Sequence, residues 1–220
     1  MIWDHGPPPP PIATIEPFLF QSQPDNITCG PTSATMLLHW YGVDTDVDEI
    51  RRKARTDWFQ LRGELIGMTS PDALAQSIAS TGVSCRLNTG TDRQLRSAIA
   101  SGRPAIVLVR TGRFLWHYVV VVGYTESAVL IADPAYGRRR RIDSETFSKC
   151  WNFECDLSGN DLSLSCTLCG GDGRHDMLPG PLGECVTCGG TGVIDDSMSF
   201  WLRSIDASPR TMIVPLYPPD

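Results

Sequence analysis

Two neighbouring apolar stretches constrain the fold of this chain most strongly. "HYVVVVGY" at 117–124 and "AVLIADPAYG" at 128–137 are short and rich in β-branched residues, a composition typical of buried strands. Pro134 forces an extended conformation on the preceding residue and ends the second stretch. The pattern predicts a β-hairpin around "GYTES". In such a hairpin, His117 near the start of one strand lies beside Asp133 near the end of the next.

Cys29 lies between a turn-like run and an amphipathic helix in "QPDNITCGPTSATMLLHWYG" at 23–42. Pro31 suits a first helical turn, and Gly42 supplies a stop. Apolar residues recur at the helical spacing of three to four, at Met36, Leu37, Trp40 and Tyr41. Cys29 is therefore expected at the N-terminal end of a buried helix, where the helix dipole and unpaired N–H groups stabilise a thiolate. We predict a nucleophile; a packing cysteine is the alternative.

A nucleophilic thiol needs a base, and the chain has four histidines. His39 lies on the same helix, about 15 Å along the axis from Cys29, and His5 precedes a proline run. His175 falls between two cysteine motifs. His117 is therefore the predicted base, with Asp133 accepting the second imidazole N–H. The alternatives are a hydrogen-bonded core histidine and an aspartate that only ends a strand.

Four of the eight cysteines occur in two copies of one motif, "CTLCGGDG" at 166–173 and "CVTCGGTG" at 185–192. Two thiolates separated by two residues can chelate one ion, and the following glycines let the turn curl around the sulfurs. The repeat predicts one structural zinc ion held by Cys166, Cys169, Cys185 and Cys188. Two disulfides or a redox pair are the alternative. His175 is expected on the connection between the motifs rather than in the metal shell.

The other cysteines are expected to pack in the core. Cys85 lies in a short strand-like stretch, "TGVSCRLN", and Cys150 and Cys155 bracket aromatic residues at a spacing that does not suit a metal knuckle.

The overall charge argues against several classes of partner. The formal net charge is -6 and the pI is about 5.2, so nucleic acids and anionic membranes are not expected partners. The one dense basic run, "GRRRRID" at 137–143, is interpreted as a solvated strand or loop edge. The longest apolar run is far shorter than the ~20 residues of a transmembrane helix. The N-terminal stretch lacks the pattern of a secretory signal, and a cytoplasmic location is expected.

Several of these stretches together resemble one family. Gln23, "CGPTSATMLLHWYG", "RPAIVLVR", "HYVVVVGY" and "LIADPAYG" are similar to the papain-like cysteine peptidases that process bacteriocins at double-glycine leaders. The similarity extends over residues 15–147. It implies a papain-like α+β fold, in which a helical part carrying Cys29 packs on an antiparallel sheet carrying His117 and Asp133. It also implies that the Gln23 side-chain amide and the backbone N–H of Cys29 bind the oxyanion. Gln21 is a nearby competitor for that role.

The cysteine repeats resemble the zinc-binding repeats of DnaJ-type chaperones, which implies zinc ligation but no chaperone function. They lie between a helix-like "SETFSKCW" and a strand-like "RTMIVPLY". We therefore expect a proline-rich segment at 1–14, a peptidase domain at 15–220 and a zinc ribbon inserted at 160–195. The ribbon is expected either to bind a protein partner or substrate, or only to stabilise the fold.

The predicted function is that of a soluble cysteine peptidase acting on a peptide or isopeptide bond of a protein or peptide substrate through a thioester. Leader peptidases of the resembled family are commonly fused to a membrane exporter, so leader processing is not expected here. Two alternatives stay open. One is a papain-like deamidase or acyltransferase that uses the same thioester. The other is a non-catalytic zinc-ribbon adaptor.

Overall fold

The computed structural model of the protein describes residues 10, 12–61, 64–112, 115–155, 157, 159 and 208–219. The four predicted zinc ligands, His175 and the whole of the predicted ribbon at 160–195 lie outside these residues. His5 and most of the proline run at 7–11 lie outside them as well.

Five helices are present in the described part of the chain: α1 (Cys29–Trp40), α2 (Val47–Lys53), α3 (Pro71–Ala79), α4 (Asp92–Ala100) and α5 (Ser144–Trp151). Each helix from α2 to α5 begins with a side-chain cap that accepts a backbone N–H of the first turn, from Asp46, Ser70, Thr91 and Asp143. Such caps satisfy N–H groups that a helix start leaves free. Thr28 makes no such bond at the start of α1. The N-terminal end of α1 therefore differs from the other four.

The strands are β1 (Ala13–Thr14), β2 (Asp57–Leu61), β3 (Glu64–Met68), β4 (Cys85–Thr89), β5 (Ala105–Gly112), β6 (Leu115–Tyr124), β7 (Ala128–Asp133), β8 (Arg138–Asp143) and β9 (Thr211–Pro215). Seven of them form one antiparallel sheet in the order β4-β9-β5-β6-β7-β8, with β1 paired to β6. Strands β2 and β3 form a separate hairpin. The predicted α+β class with an antiparallel sheet is confirmed.

The hairpin predicted around "GYTES" is present as β6 and β7. Val120 pairs with Ala132 and Tyr124 with Val129, with a bulge between Val121 and Gly123. The strand expected near Val83 begins at Cys85. Between Gly42 and Ser101 the sequence predicts mostly helices, such as "VDEIRRKAR" and "SPDALAQSIAS". The hairpin of β2 and β3 in this region departs from that expectation.

Helix α1 packs against β6 and anchors the site to the sheet. Its apolar residues Met36, Leu37 and Leu38 are buried in the same core as the valines of β6, and burying one such side chain contributes roughly 1.5–3 kcal/mol. The Ser33 hydroxyl donates to the carbonyl of Tyr118 at 3.2 Å. The position of α1 on the sheet is therefore set by packing and by a polar bond close to its first residue. No helix in the described ranges is long and apolar enough to cross a membrane.

Candidate active site

Cys29 is the first residue of α1, as the sequence predicts. The first N–H groups of a helix have no partner within the helix, and here no side-chain cap from Thr28 occupies them. The next residue must be small, since a Cβ on Gly30 would lie 3.1 Å from the Tyr118 ring and 3.2 Å from the Thr69 side chain. Because of this close packing, the start of α1 lies directly against β6.

His117 lies near the start of β6 and faces Asp133 at the end of β7. Its Nε2 donates to Asp133 Oδ1 at 2.7 Å, and only 1% of the Asp133 side chain is exposed. His117 also interacts with the Cys29 thiol, and each shifts the pKa of the other. Because Nε2 is directed at Asp133, Nδ1 is the ring nitrogen left for the sulfur. The structure thus brings the three side chains together, with a direct hydrogen bond between His117 and Asp133.

These contacts shift the pKa values of the thiol and the imidazole in opposite directions. Burial alone raises the pKa of Cys29, but the hydrogen bond and charge of His117, with smaller contributions from the backbone N–H groups of Tyr118 and Gly30, bring it below its ordinary value. Burial alone lowers the pKa of His117, but the hydrogen bonds and charges of Asp133 and Cys29 raise it to about 9. Both shifts favour a thiolate–imidazolium pair at neutral pH.

The Asp133 carboxylate has three donors around it. Oδ1 accepts from His117 and from the backbone N–H of Ala135 at 3.0 Å, and Oδ2 accepts from Arg140 Nη1 at 2.7 Å. Burial by itself raises the pKa of Asp133, but these donors outweigh it and hold the pKa below the ordinary value. The carboxylate therefore stays ionised although it is buried.

Arg140 is the member of this site that the sequence did not indicate. It lies in the basic run interpreted as a solvated edge, and that interpretation holds for the strand as a whole, since β8 is the last strand of the sheet. Arg140 itself is an exception because its guanidinium contacts Asp133 and lies over the Tyr136 ring, 4.7 Å from its centroid. The one sequence pattern that could have indicated Arg140 is the alternation of side chains along a strand, which places Arg138 and Arg140 on the same face of β8.

Gln23 lies beside the turn that follows Asp133. Its backbone N–H donates to the carbonyl of Pro134 at 2.8 Å, and its side-chain Nε2 donates to the carbonyl of Asp25 at 2.6 Å. An amide nitrogen carries two hydrogens, so one donor of Gln23 is not used by this bond. The competing Gln21 instead directs its backbone N–H to the sulfur of Met36.

Trp116 directly precedes His117 in β6. The indole is partly buried and packs edge-on against Phe153, with ring centroids 6.1 Å apart. The Arg110 guanidinium lies 5.9 Å from the Trp116 ring centroid and donates to the Phe153 carbonyl at 2.8 Å. The residue before the histidine is thus fixed against the segment that follows α5.

The remaining described cysteines behave as packing residues. Cys85 donates to the carbonyl of Ala75, and burial raises the pKa of its thiol to about 11. Cys150 and Cys155 are buried with their sulfur atoms 3.2 Å apart. Within the described ranges, no group of three or more metal-ligating side chains is present. The predicted zinc ligands, Cys166, Cys169, Cys185 and Cys188, lie outside them.

A thiol of lowered pKa at a helix start, an imidazole of raised pKa and a buried carboxylate form the arrangement needed for nucleophilic attack on a carbonyl carbon. The thiolate can form the covalent bond, and the imidazolium can give its proton to the leaving group. Because Asp133 is held on its other side by Arg140, the imidazole ring has little freedom to turn away from the sulfur.

The chain is similar to known proteins in sequence and in fold. The model of the Peptidase_C39 like family matches residues 15–154. Among solved structures, a protein described as a C39-like peptidase from Bacillus anthracis is 17% identical with a TM-score of 0.56, and the match covers 64% of this chain and 92% of that one. The peptidase domain of Streptococcus ComA, a bi-functional ABC transporter involved in quorum sensing, is 24% identical with a TM-score of 0.51, covering 60% of this chain and 90% of that one. No curated protein sequence gives a significant match. At these identities, the solved structures establish a shared fold.

Proposed function

Since the chain belongs to the Peptidase_C39 like family, we propose that it is a cysteine peptidase that hydrolyses a peptide or isopeptide bond in a protein or peptide substrate. The single observation that supports this most is the hydrogen bond from His117 to the buried Asp133, on a histidine that also lowers the pKa of Cys29. Packing alone does not require a thiol with a lowered pKa beside a histidine with a raised one.

In the proposed reaction, the Cys29 thiolate attacks the substrate carbonyl carbon and forms a carbon–sulfur bond. His117 then gives its proton to the leaving amine, the carbon–nitrogen bond breaks and a thioester remains. His117 next takes a proton from water, which attacks the thioester carbon; the carbon–sulfur bond breaks, the acid is released, and the Cys29 thiolate and the His117 imidazolium are restored. Asp133 holds the imidazole by Nε2 throughout.

We propose that the backbone N–H of Cys29 and the side-chain amide of Gln23 bind the oxyanion that develops on the substrate. The N–H at the uncapped start of α1 supports the first assignment. The second is supported by the bond between the Gln23 backbone and Pro134, which keeps Gln23 next to Asp133. Removing one donor of this kind commonly costs about 10²–10³ in kcat, and Gln23→Ala tests the side chain.

The proposed activity is tested with a library of quenched fluorescent peptides, comparing the parent chain with Cys29→Ala and with the matched variant Cys85→Ala. Cleavage by the parent and by Cys85→Ala, but not by Cys29→Ala, supports the proposal. Product masses separate hydrolysis, which splits the chain, from deamidation, which leaves it whole. Absence of cleavage, together with equal alkylation of Cys29 and Cys85, overturns it.

We also propose that the two cysteine repeats hold one structural zinc ion through Cys166, Cys169, Cys185 and Cys188 in a ribbon inserted at 160–195. The support is the chemistry of four thiols in two closely matching motifs. Metal analysis of the purified full chain should find one zinc per chain, and Cys169→Ser with Cys188→Ser should remove it. A chain that carries no zinc and has these thiols in disulfides would contradict the proposal.

A further inference from the structure

Strand β8 (Arg138–Asp143) combines three features that the proposed reaction does not use. It is the last strand of the sheet and pairs only with β7 among the described residues. It carries four consecutive arginines, although the chain has a net charge of -6. It also begins close to the candidate active site, because Arg138 pairs in register with Asp133.

The arginines of β8 are not equivalent. Arg139 pairs with Glu16 at 2.6 Å, and Arg140 pairs with Asp133. Arg138 and Arg141 are exposed and have no carboxylate partner among the described residues. Arg141 donates to the Ser127 hydroxyl. Two of the four positive charges are therefore available to a ligand, one on each face of the strand.

An exposed aromatic ring lies in the turn between Asp133 and β8. Tyr136 is 55% exposed, and the guanidinium groups of Arg138 and Arg140 lie over its ring, at 5.7 and 4.7 Å from the centroid. These contacts hold the ring at the turn that joins Asp133 to β8. A segment running along β8 toward the site would pass this ring.

The outer edge of β8 has no partner strand among the described residues, and this edge and the charges together limit what can bind there. The outer edge of a last strand presents backbone N–H and C=O groups that can pair with an added extended segment. A second copy of this strand, paired antiparallel over all six residues, would place Arg140 opposite Arg141 at the centre, which is unfavourable. An extended segment with Asp or Glu side chains would meet the opposite charge on both faces.

We propose that the outer edge of β8 binds an extended acidic peptide and directs it past Tyr136 into the candidate active site. This inference rests on the proposed function, since it names the class of peptide that the peptidase takes. The backbone edge supplies the pairing, and Arg138 and Arg141 supply the preference for acidic side chains.

Binding is measured by fluorescence anisotropy on the full chain carrying Cys29→Ala, so that a substrate is held and not cut. The probe is a short fluorescein-labelled peptide with alternating glutamates, compared with the same peptide carrying glutamine instead. At low ionic strength the acidic peptide should bind about tenfold tighter or better. The advantage should shrink at about 0.15 M salt, because salt screens exposed charges.

Two substitutions that change the net charge equally distinguish a contribution of β8 itself from the effect of the overall charge of the protein. Arg138→Gln should weaken binding of the acidic peptide about fivefold, the size expected for one exposed ion pair. Arg52→Gln, on the exposed surface of α2, should change it less than about twofold. Equal affinity for the two peptides, or equal effects of the two substitutions, would overturn the inference.

Backbone pairing is tested with two N-methylated forms of the acidic peptide, methylated at odd or at even positions. Only every second residue of an added strand directs its N–H toward the edge. One form should therefore lose binding and the other keep it, and equal binding by both forms would count against strand addition.

The result separates this inference from the proposed function. If the acidic peptide binds to β8 but the chain with its cysteine cleaves no peptide, the surface stands and the peptidase proposal fails. If glutamine and glutamate peptides are cleaved with the same kcat/KM, the peptidase stands and the acidic preference fails.

Discussion

Cys29 and Cys85 are both partly buried thiols, yet their surroundings drive their pKa values in opposite directions. Cys85 begins β4 and meets only a carbonyl, and burial raises its pKa to about 11. Cys29 begins α1 and meets the charge and hydrogen bond of His117, which more than offset the effect of burial and lower its pKa. Burial alone therefore raises the pKa of a thiol and makes it inert. A neighbouring cation and a row of N–H groups are needed to make it reactive.

The largest expected effect is the difference in alkylation rate between these two thiols. At pH 7, a thiol of pKa about 11 is a thiolate in about one molecule in ten thousand. Cys29 should therefore react with iodoacetamide about 10³ times faster than Cys85, after allowance for the lower nucleophilicity of a low-pKa thiolate. Peptide mass spectrometry on one sample gives both rates, with zinc present throughout. Similar rates at the two sites would remove the basis for assigning Cys29 as the nucleophile.

Removing the base should make Cys29 resemble Cys85. In His117→Ala, the Cys29 thiol loses the hydrogen bond and charge that lower its pKa. Its alkylation at pH 6 should fall about 100-fold, since each pKa unit changes the thiolate fraction tenfold. The rate at Cys85 serves as the control within the same molecule and should not change. If the variant keeps the parent rate at Cys29, then α1 alone activates the thiol.

The pH dependence of hydrolysis should show the ionisation of both Cys29 and His117. The pKa of His117 is raised to about 9, so the imidazolium that we propose as the proton donor to the leaving group is present below that pH and is lost as the pH rises through it. The thiolate is lost as the pH falls through the lowered pKa of Cys29. We therefore expect kcat/KM to decline about tenfold per pH unit above about 9, and to decline again in acid. A profile that instead rises through pH 9 would indicate an ordinary thiol acting without a paired imidazolium.

A smaller effect is expected from Arg140, which acts on Cys29 through Asp133 and His117. Arg140→Ala removes one of the donors that hold the buried carboxylate, so the imidazole should be held less firmly and the pKa of Cys29 should rise. Alkylation of Cys29 at pH 6 should slow about three- to tenfold, and Arg140→Lys should recover part of the loss because it keeps the charge. Arg139→Gln is the control, since Arg139 pairs with Glu16. Equal slowing in the control would assign the effect to the general charge of β8.

Local sequence patterns were sufficient to predict those parts of the site that lie at the ends of helices and strands. The helix start at Cys29 follows from Pro31 and the apolar spacing, and the hairpin that brings His117 to Asp133 follows from two β-branched runs with a short turn. Both patterns act within a few residues of the chain, where backbone preferences and side-chain periodicity are strong.

Other features could not be predicted in this way. The stretches at 57–61 and 64–68 pair as a hairpin, although the sequence around them was interpreted as mostly helical. The opposite pKa shifts of Cys29 and Cys85 could not be predicted from local sequence, because the lowering at Cys29 comes from His117, which lies far along the chain.

The sequence by itself determined which residue types are available and where each helix and strand of the site begins. It identified Cys29, His117 and Asp133 as candidates because each lies at the end of a locally encoded element. Only the tertiary structure decided that Arg140, rather than another arginine of the same run, binds Asp133. The reason is physical: that contact depends on the register of β7 against β8 and on the face that each residue takes, and a shift by one residue would direct a different side chain to the carboxylate.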